Sequence, residues 1–389
     1  MPVANVLSRR ILIVLSLAMF CAMLGMGIIS PILPLYAQNL GASGFALGMI
    51  IGAFSLSRSG GMIVSGELAE HMDKKRLLLG GLAFYAAASV SYTFANSTAS
   101  LILIRMGHGL GSAMVVPITM AIATDIAPEG EQGAFFGTLQ GAQFLGVGCG
   151  PLLSGLLAEN FGLMAPFYGM TALTLLSMTF VFLWLPWKIS SGSSISTSMG
   201  GAFSAILLDR EMMRVFFFQF ASAMCRGVLV MVIPLFASGF NLSFMQIGFV
   251  VSLNSLATGL LQRFSGRMAD RFPKRKMILA GGLISAVTLI GLPNLTTPVS
   301  LALASVAFGV GHAFATPSLA AIAASRGNLY GSGRIMGLFN ISFSVGMTIG
   351  PVLTGMLLDM TRTGFPFYLL SAILLSATLL AFSPRRLHI

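Results

Sequence analysis

Gly66-Glu67-Leu68-Ala69-Glu70-His71-Met72-Asp73-Lys74-Lys75-Arg76 places six charged residues among eleven, in a chain only 8% charged. Long apolar runs flank it on both sides. A second version, Gly266-Arg267-Met268-Ala269-Asp270-Arg271-Phe272-Pro273-Lys274-Arg275-Lys276, follows 200 residues later. Two matching charged hinges, each between membrane-length segments, predict a duplicated membrane protein.

Composition agrees. Apolar residues make up 56% of the 389 residues, whereas a soluble domain is about 45–50% apolar and about 25% charged. So few charges cannot cover a water-facing surface. The net charge of +11 does not indicate nucleic-acid binding, because the basic residues sit in short turns and form no continuous face. Cys21, Cys149 and Cys225 all fall in apolar segments without metal-ligand spacing, which predicts packing residues and neither a metal site nor a disulfide framework.

A span needs about 20 apolar residues. Twelve segments meet or approach this: 11–37, 45–67, 77–95, 99–124, 133–157, 164–186, 213–237, 244–267, 277–293, 297–324, 333–358 and 366–383. The first follows Arg9-Arg10 and is read as a retained span, not a cleaved leader. The runs lack period-2 alternation and are rich in Gly and Ala, which favours helices over barrel strands. With the N-terminus inside, inner loops and termini hold 17 Lys and Arg, and outer loops hold only Arg362. The positive-inside rule then places both termini in the cytoplasm.

The repeat is visible residue by residue. Pro34 pairs with Pro234, Gly48 with Gly248, Pro117 with Pro317, and Pro166-Phe167-Tyr168 with Pro366-Phe367-Tyr368. Glu159 meets Asp359 at the same spacing. Gly and Pro fix backbone geometry, so their shared register predicts two halves of similar shape. Residues 1–187 form the first six-helix bundle and 213–389 the second, joined by a Ser-rich cytoplasmic linker at 188–212. An even number of spans per half makes the repeats parallel, about an axis along the membrane normal.

Twelve helices as six plus six, with a basic loop after helix 2 and after helix 8, resemble the major facilitator superfamily across nearly the whole chain. That family's loop signature is Gly-x-Leu-Ala-Asp-Arg-x-Gly-Arg-Lys. Gly66, Leu68, Ala69, Lys74 and Lys75 match it, while Glu70, His71 and Asp73 depart from it. The second copy keeps Gly266, Ala269, Asp270, Arg271, Lys274 and Arg275, with Pro273 in the turn. The resemblance implies a gate in which Glu70 and Asp270 hold the inner side closed, with His71 as a pH-responsive neighbour. Gly146-x-x-x-Gly150-Pro151-x-x-x-Gly155 is similar to a helix 5 motif of the antiporter branch, especially drug/proton exporters; Gly346, Gly350, Pro351 and Gly355 repeat it. Physically, the motif reads as close helix packing with a Pro-induced bend. Arg105 resembles the family's helix 4 arginine, which implies a role in proton transfer; snorkelling to headgroups is the alternative.

Each ionisable residue inside a span costs at least about 2.5–3.5 kcal/mol and needs a reason. Arg58 and Arg226 lie deep, about 13 residues from a helix end. In the fold that the resemblance implies, helix 7 lines the central cavity, so Arg226 is a candidate substrate contact and Arg58 a second one; a structural hydrogen bond to carbonyl groups of a neighbouring helix is the alternative. Arg263 is closer to a helix end and reads as an anchor. No Asp or Glu lies in mid-membrane, which leaves as candidate proton carriers His108, one turn from Arg105, or the gate carboxylates Glu67, Glu70 and Asp125; for His108 a structural histidine is the alternative. His312 is a weaker candidate. Gln140, Gln143, Asn254 and Asn340 are candidate cavity residues, or else bridges between helices.

The expectation is an exporter in the bacterial cytoplasmic membrane, not an enzyme. It acts as a monomer, without cofactor, on small amphipathic organic molecules exchanged for protons. The alternative cargo is an organic anion, such as an acidic metabolite or metal chelator, bound by buried arginines.

Overall fold

The computed structural model describes residues 2–128, 132–187, 206, 208–326, 329, 332–361 and 364–382. Among them, all regular structure is helical, as an apolar solvent requires of a chain that cannot leave backbone groups unbonded. The first six long helices are α1 (Pro2–Asn39), α2 (Gly44–His71), α3 (Lys74–Ser91), α4 (Thr98–Ile126), α5 (Gln132–Phe161) and α6 (Ala165–Trp184). The next six are α7 (Arg210–Gly239), α8 (Phe244–Arg271), α9 (Lys274–Gly291), α10 (Pro298–Ser325), α11 (Ser332–Thr361) and α12 (Phe365–Phe382). Each contains a stretch long and apolar enough to span a membrane, twelve among the described residues.

The 200-residue register holds in the elements themselves. α2 and α8 match at both ends, and short 3-10 turns, Tyr92–Phe94 and Leu292–Asn294, extend α3 and α9 alike. The turn into α2 needs a left-handed residue at Gly41 (φ 76°) and the turn into α8 needs one at Asn241 (φ 56°). Gly and Asn are the residue types that tolerate that conformation. Ser65 donates to Ala113 O at 2.8 Å, and Ser265 donates to Ala313 O at 2.7 Å. The same bridge thus ties α2 to α4 and α8 to α10.

The chain forms two compact units. One gathers α1, α3 to α6, α2 from Ala53 onward, and Asn241–Ser252 at the start of α8. The other gathers α7, α9 to α12, α8 from Leu253 onward, and Ser43–Gly52 at the start of α2. The first unit's core is built by Leu15, Met19 and Met23 of α1, Leu78 and Leu82 of α3, Ile122 of α4, Leu139 of α5 and Val181 of α6. Phe84, Leu103 and Phe182 point outward, the apolar exterior that lipid favours.

The glycine motifs set the closest helix approaches. A Cβ on Gly150 would lie 2.5 Å from Gly27 Cα, and one on Gly146 would lie 2.7 Å from Phe20 O, both on α1. In the second unit, a Cβ on Gly350 would lie 2.6 Å from Met224 Cα, and Gly346 abuts Phe220 O, both on α7. Gly155 meets Phe244, and Gly355 meets Gly44. Pro151 and Pro351 sit inside α5 and α11. Any side chain at these glycines would force the helices apart.

Candidate functional site

In the first unit, α2, α3 and α4 enclose a polar cluster amid apolar surroundings. His108 of α4 is fully buried, and its Nδ1 lies 3.1 Å from the Tyr92 hydroxyl. The Tyr85 ring packs edge-on against the imidazole, with centroids 4.2 Å apart. Arg105 stands one turn before His108 with its guanidinium 4.4 Å from the Phe54 ring centre, a cation–π arrangement. Arg105 also hydrogen-bonds Tyr92. Arg58 of α2 is half-buried, and its charge acts on the Tyr85 hydroxyl together with that of Arg105. The structure therefore brings Arg58, Arg105 and His108 into one cluster. Tyr85 and Tyr92 complete it. They were missed because a tyrosine in an apolar run resembles packing until its hydroxyl is located.

In the second unit, His312 of α10 lies between Ser222 of α7 (3.4 Å to Nδ1) and Thr316 (3.3 Å to Nε2). Arg226, one turn beyond Ser222, is half-buried, and His312 feels its charge. Among the described residues, neither Arg58 nor Arg226 forms an ion pair with a carboxylate. Asn254 donates from Nδ2 to Ser305 O at 3.1 Å, bridging α8 and α10. Asn340 is exposed and bonds back to Met336 O in its own helix, while Gln140 and Gln143 are half-buried on α5.

Three basic hinge residues, Lys74, Lys75 and Arg275, have partners within their own units. Lys75 is 2% exposed, and its Nζ donates to Phe182 O at 2.8 Å and Leu185 O at 2.5 Å. It also lies 4.1 Å from the Trp187 ring centre. Lys75 thus closes the C-terminus of α6, where unsatisfied carbonyls and the helix dipole favour a cation. Lys74 pairs with Asp125. Asp73 accepts from Arg76 N–H at 3.0 Å and caps α3, a local reason for an acidic residue where the family signature has Gly. In the other unit, Arg275 pairs with Glu211 (3.1 Å), and Arg326 pairs with Glu211 (2.5 Å) and Asp209 (3.5 Å). Arg271 is exposed, Lys274 is intermediate, and Gly266 has open space beside it. The gate assignments to Gly66, Glu70, His71 and Asp270, and the anchor assignment to Arg263, lie outside the residues whose side-chain surroundings are described, as does most of the linker.

At the opposite helix ends, two carboxylates hold helix N-termini. Asp359 of α11 accepts from the N–H groups of Gly44 and Phe45, each at 2.8 Å, within the second unit. Glu159 of α5 accepts from Met245 N–H at 2.9 Å within the first. These are charge-assisted bonds to orphan donors at the positive end of a helix dipole.

The family model of the Major Facilitator Superfamily matches residues 15–213 and 215–388. An uncharacterized MFS-type transporter of Methanocaldococcus jannaschii is 29% identical over 347 residues, covering 87% of this chain and 89% of its own. A Lactococcus lactis protein named as a homologue of the multi-drug resistance efflux pump PmrA is 28% identical over 336 residues, covering 84% of this chain and 82% of its own. The Staphylococcus aureus quinolone resistance protein NorA is 32% identical over 167 residues, 42% of each chain. Among solved structures, the nucleoside transporter NupG has a TM-score of 0.80 at 14% identity, covering 96% of this chain and 98% of its own. A bacterial homologue of the lysosomal transporter Spinster has a TM-score of 0.77 at 13% identity, covering 96% and 95%. At those identities the structural likeness bears on the fold alone.

Proposed function

We propose that this chain, which belongs to the Major Facilitator Superfamily, exports small amphipathic organic molecules in exchange for protons by alternating access. The observation that carries export is similarity over 84% of the chain to a relative named as a homologue of a multi-drug resistance efflux pump. The glycine packing of α5 on α1 at Gly146 and Gly150 is in keeping with the antiporter-type motif. Both termini lie in the cytoplasm in this reading, and the membrane is the bacterial cytoplasmic one. Arg226, Arg58, Gln140, Gln143, Asn254 and Asn340 are the proposed substrate contacts, and Arg105 with His108 forms the proposed proton-coupling pair. Its test uses everted membrane vesicles holding a proton gradient reported by a pH-sensitive dye. Adding an amphipathic dye or drug that is a substrate should release protons and partly collapse the gradient. If a compound that the protein demonstrably moves leaves the gradient untouched, proton exchange is rejected.

A second reading, export of an organic anion, is favoured by one observation. Arg58 and Arg226 lie within spans, and among the described residues no carboxylate pairs with either. Arg matches carboxylate or phosphate geometry well. Arg226→Ala should abolish transport of acidic solutes while leaving surface level unchanged; normal acid transport by that variant would dismiss this reading.

A further inference from the structure

We propose that the cluster between α2, α3 and α4 is a binding site for a monovalent anion, with Arg58, Tyr85 and His108 as its donors. Tyr85 and His108 are both fully buried. Within this one cluster, the Tyr85 hydroxyl, His108 Nε2 and Arg58 Nε are all buried without a hydrogen-bond partner. Leaving a buried donor or acceptor unsatisfied is costly, and native interiors satisfy nearly all such atoms. Three in one cluster indicate a missing partner.

The chemistry of that partner follows from which groups can accept. A guanidinium only donates. Arg105 therefore donates to the Tyr92 oxygen, and the Tyr92 hydroxyl proton is directed to His108 Nδ1. In a neutral imidazole the proton then sits on Nε2, so the orphaned nitrogen is a donor. The site thus presents a guanidinium N–H, a phenol O–H and an imidazole N–H, with a second guanidinium at hand. No acidic residue occurs in the middle of α2, α3 or α4 to answer them. Donors of this kind converge on an anion, and full enclosure of Tyr85 and His108 restricts it to a small ion or head group.

The other repeat is an internal control. At the 200-residue spacing, Arg58, Tyr85, Tyr92, Arg105 and His108 become Thr258, Ser285, Leu292, Ser305 and Phe308. There the Thr258 hydroxyl reaches Asn254 O (2.9 Å) and Gly309 O (3.2 Å), and Phe308 fills its position as a buried ring. The same scaffold closes without cations, so the two arginines are not a requirement of the fold. The ion is either chloride from solution or the carboxylate of a transported molecule.

The test needs no transport and is independent of direction and coupling. The purified full-length protein is melted in methanesulfonate buffer at constant ionic strength while chloride, or separately acetate and benzoate, replaces methanesulfonate. A saturable rise in melting temperature is expected, with its midpoint shifted at least fivefold by Tyr85→Phe, which keeps the ring, and at least tenfold by Arg58→Gln. A rise with chloride identifies an inorganic ion; a rise with the carboxylates alone identifies a substrate head group. If none of these anions gives a saturable rise in the wild-type protein, the proposal is overturned. It is equally overturned if both variants keep the wild-type midpoint.

Discussion

Lys75 shows what burial does to a charge. Its ammonium is enclosed and bonded to two carbonyls at the end of α6, so removing it strands both acceptors. Hydrogen bonds to charged groups contribute about 1.5–3 kcal/mol each. Lys75→Met should therefore lower the melting temperature well below that of Lys74→Met, which breaks a pair with Asp125 at the unit's edge. Equal melting temperatures for the two variants would contradict the assignment. In the sequence the two lysines are indistinguishable members of one basic hinge. Their separation depends on residues 107 and 110 positions away, which no local pattern encodes. His108 carries a prediction of its own: if it moves the coupling proton, His108→Gln flattens the pH dependence of exchange, and an unchanged profile removes it from proton transfer.

At the scale of elements, glycines on one helix differ sharply. Gly141 has open space where a Cβ would go, whereas Gly150 meets the backbone of α1. Gly141→Ala should be neutral or stabilising by up to about 1 kcal/mol from helix propensity, while Gly150→Ala should destabilise the unit because the obstacle is main chain. Thermal melts of the two variants decide this, and the reverse order would refute the packing. The carboxylate caps are a second element-scale feature. Asp359→Asn and Glu159→Gln should each lower the melting temperature slightly, because solvent screens both carboxylates, and roughly additively because they sit in different units; no loss in either would remove the capping role. The glycine and proline positions were legible in the sequence because they recur every 200 residues. Glu159 and Asp359 were legible as a pair, but their partners were not, since Met245 and Gly44 lie far away in the chain.

The whole molecule was the most legible level. Twelve apolar runs and a doubled hinge carry enough redundant signal to specify twelve spans in two repeats, and the family match spans both. The exchange of short segments, Ser43–Gly52 and Asn241–Ser252, between the compact units has no signature in composition, because those residues are as apolar as their neighbours. Cargo is encoded even less directly, since it rests on a handful of polar side chains in a chain where most polar groups bridge helices. The most direct test of proton-coupled export is solute movement in proteoliposomes with an imposed pH gradient. With proton exchange, an amphipathic solute accumulates against its own gradient on the acidic side, and a protonophore abolishes the accumulation. Equilibration to equal concentrations with the pH gradient intact, unaffected by the protonophore, would contradict it.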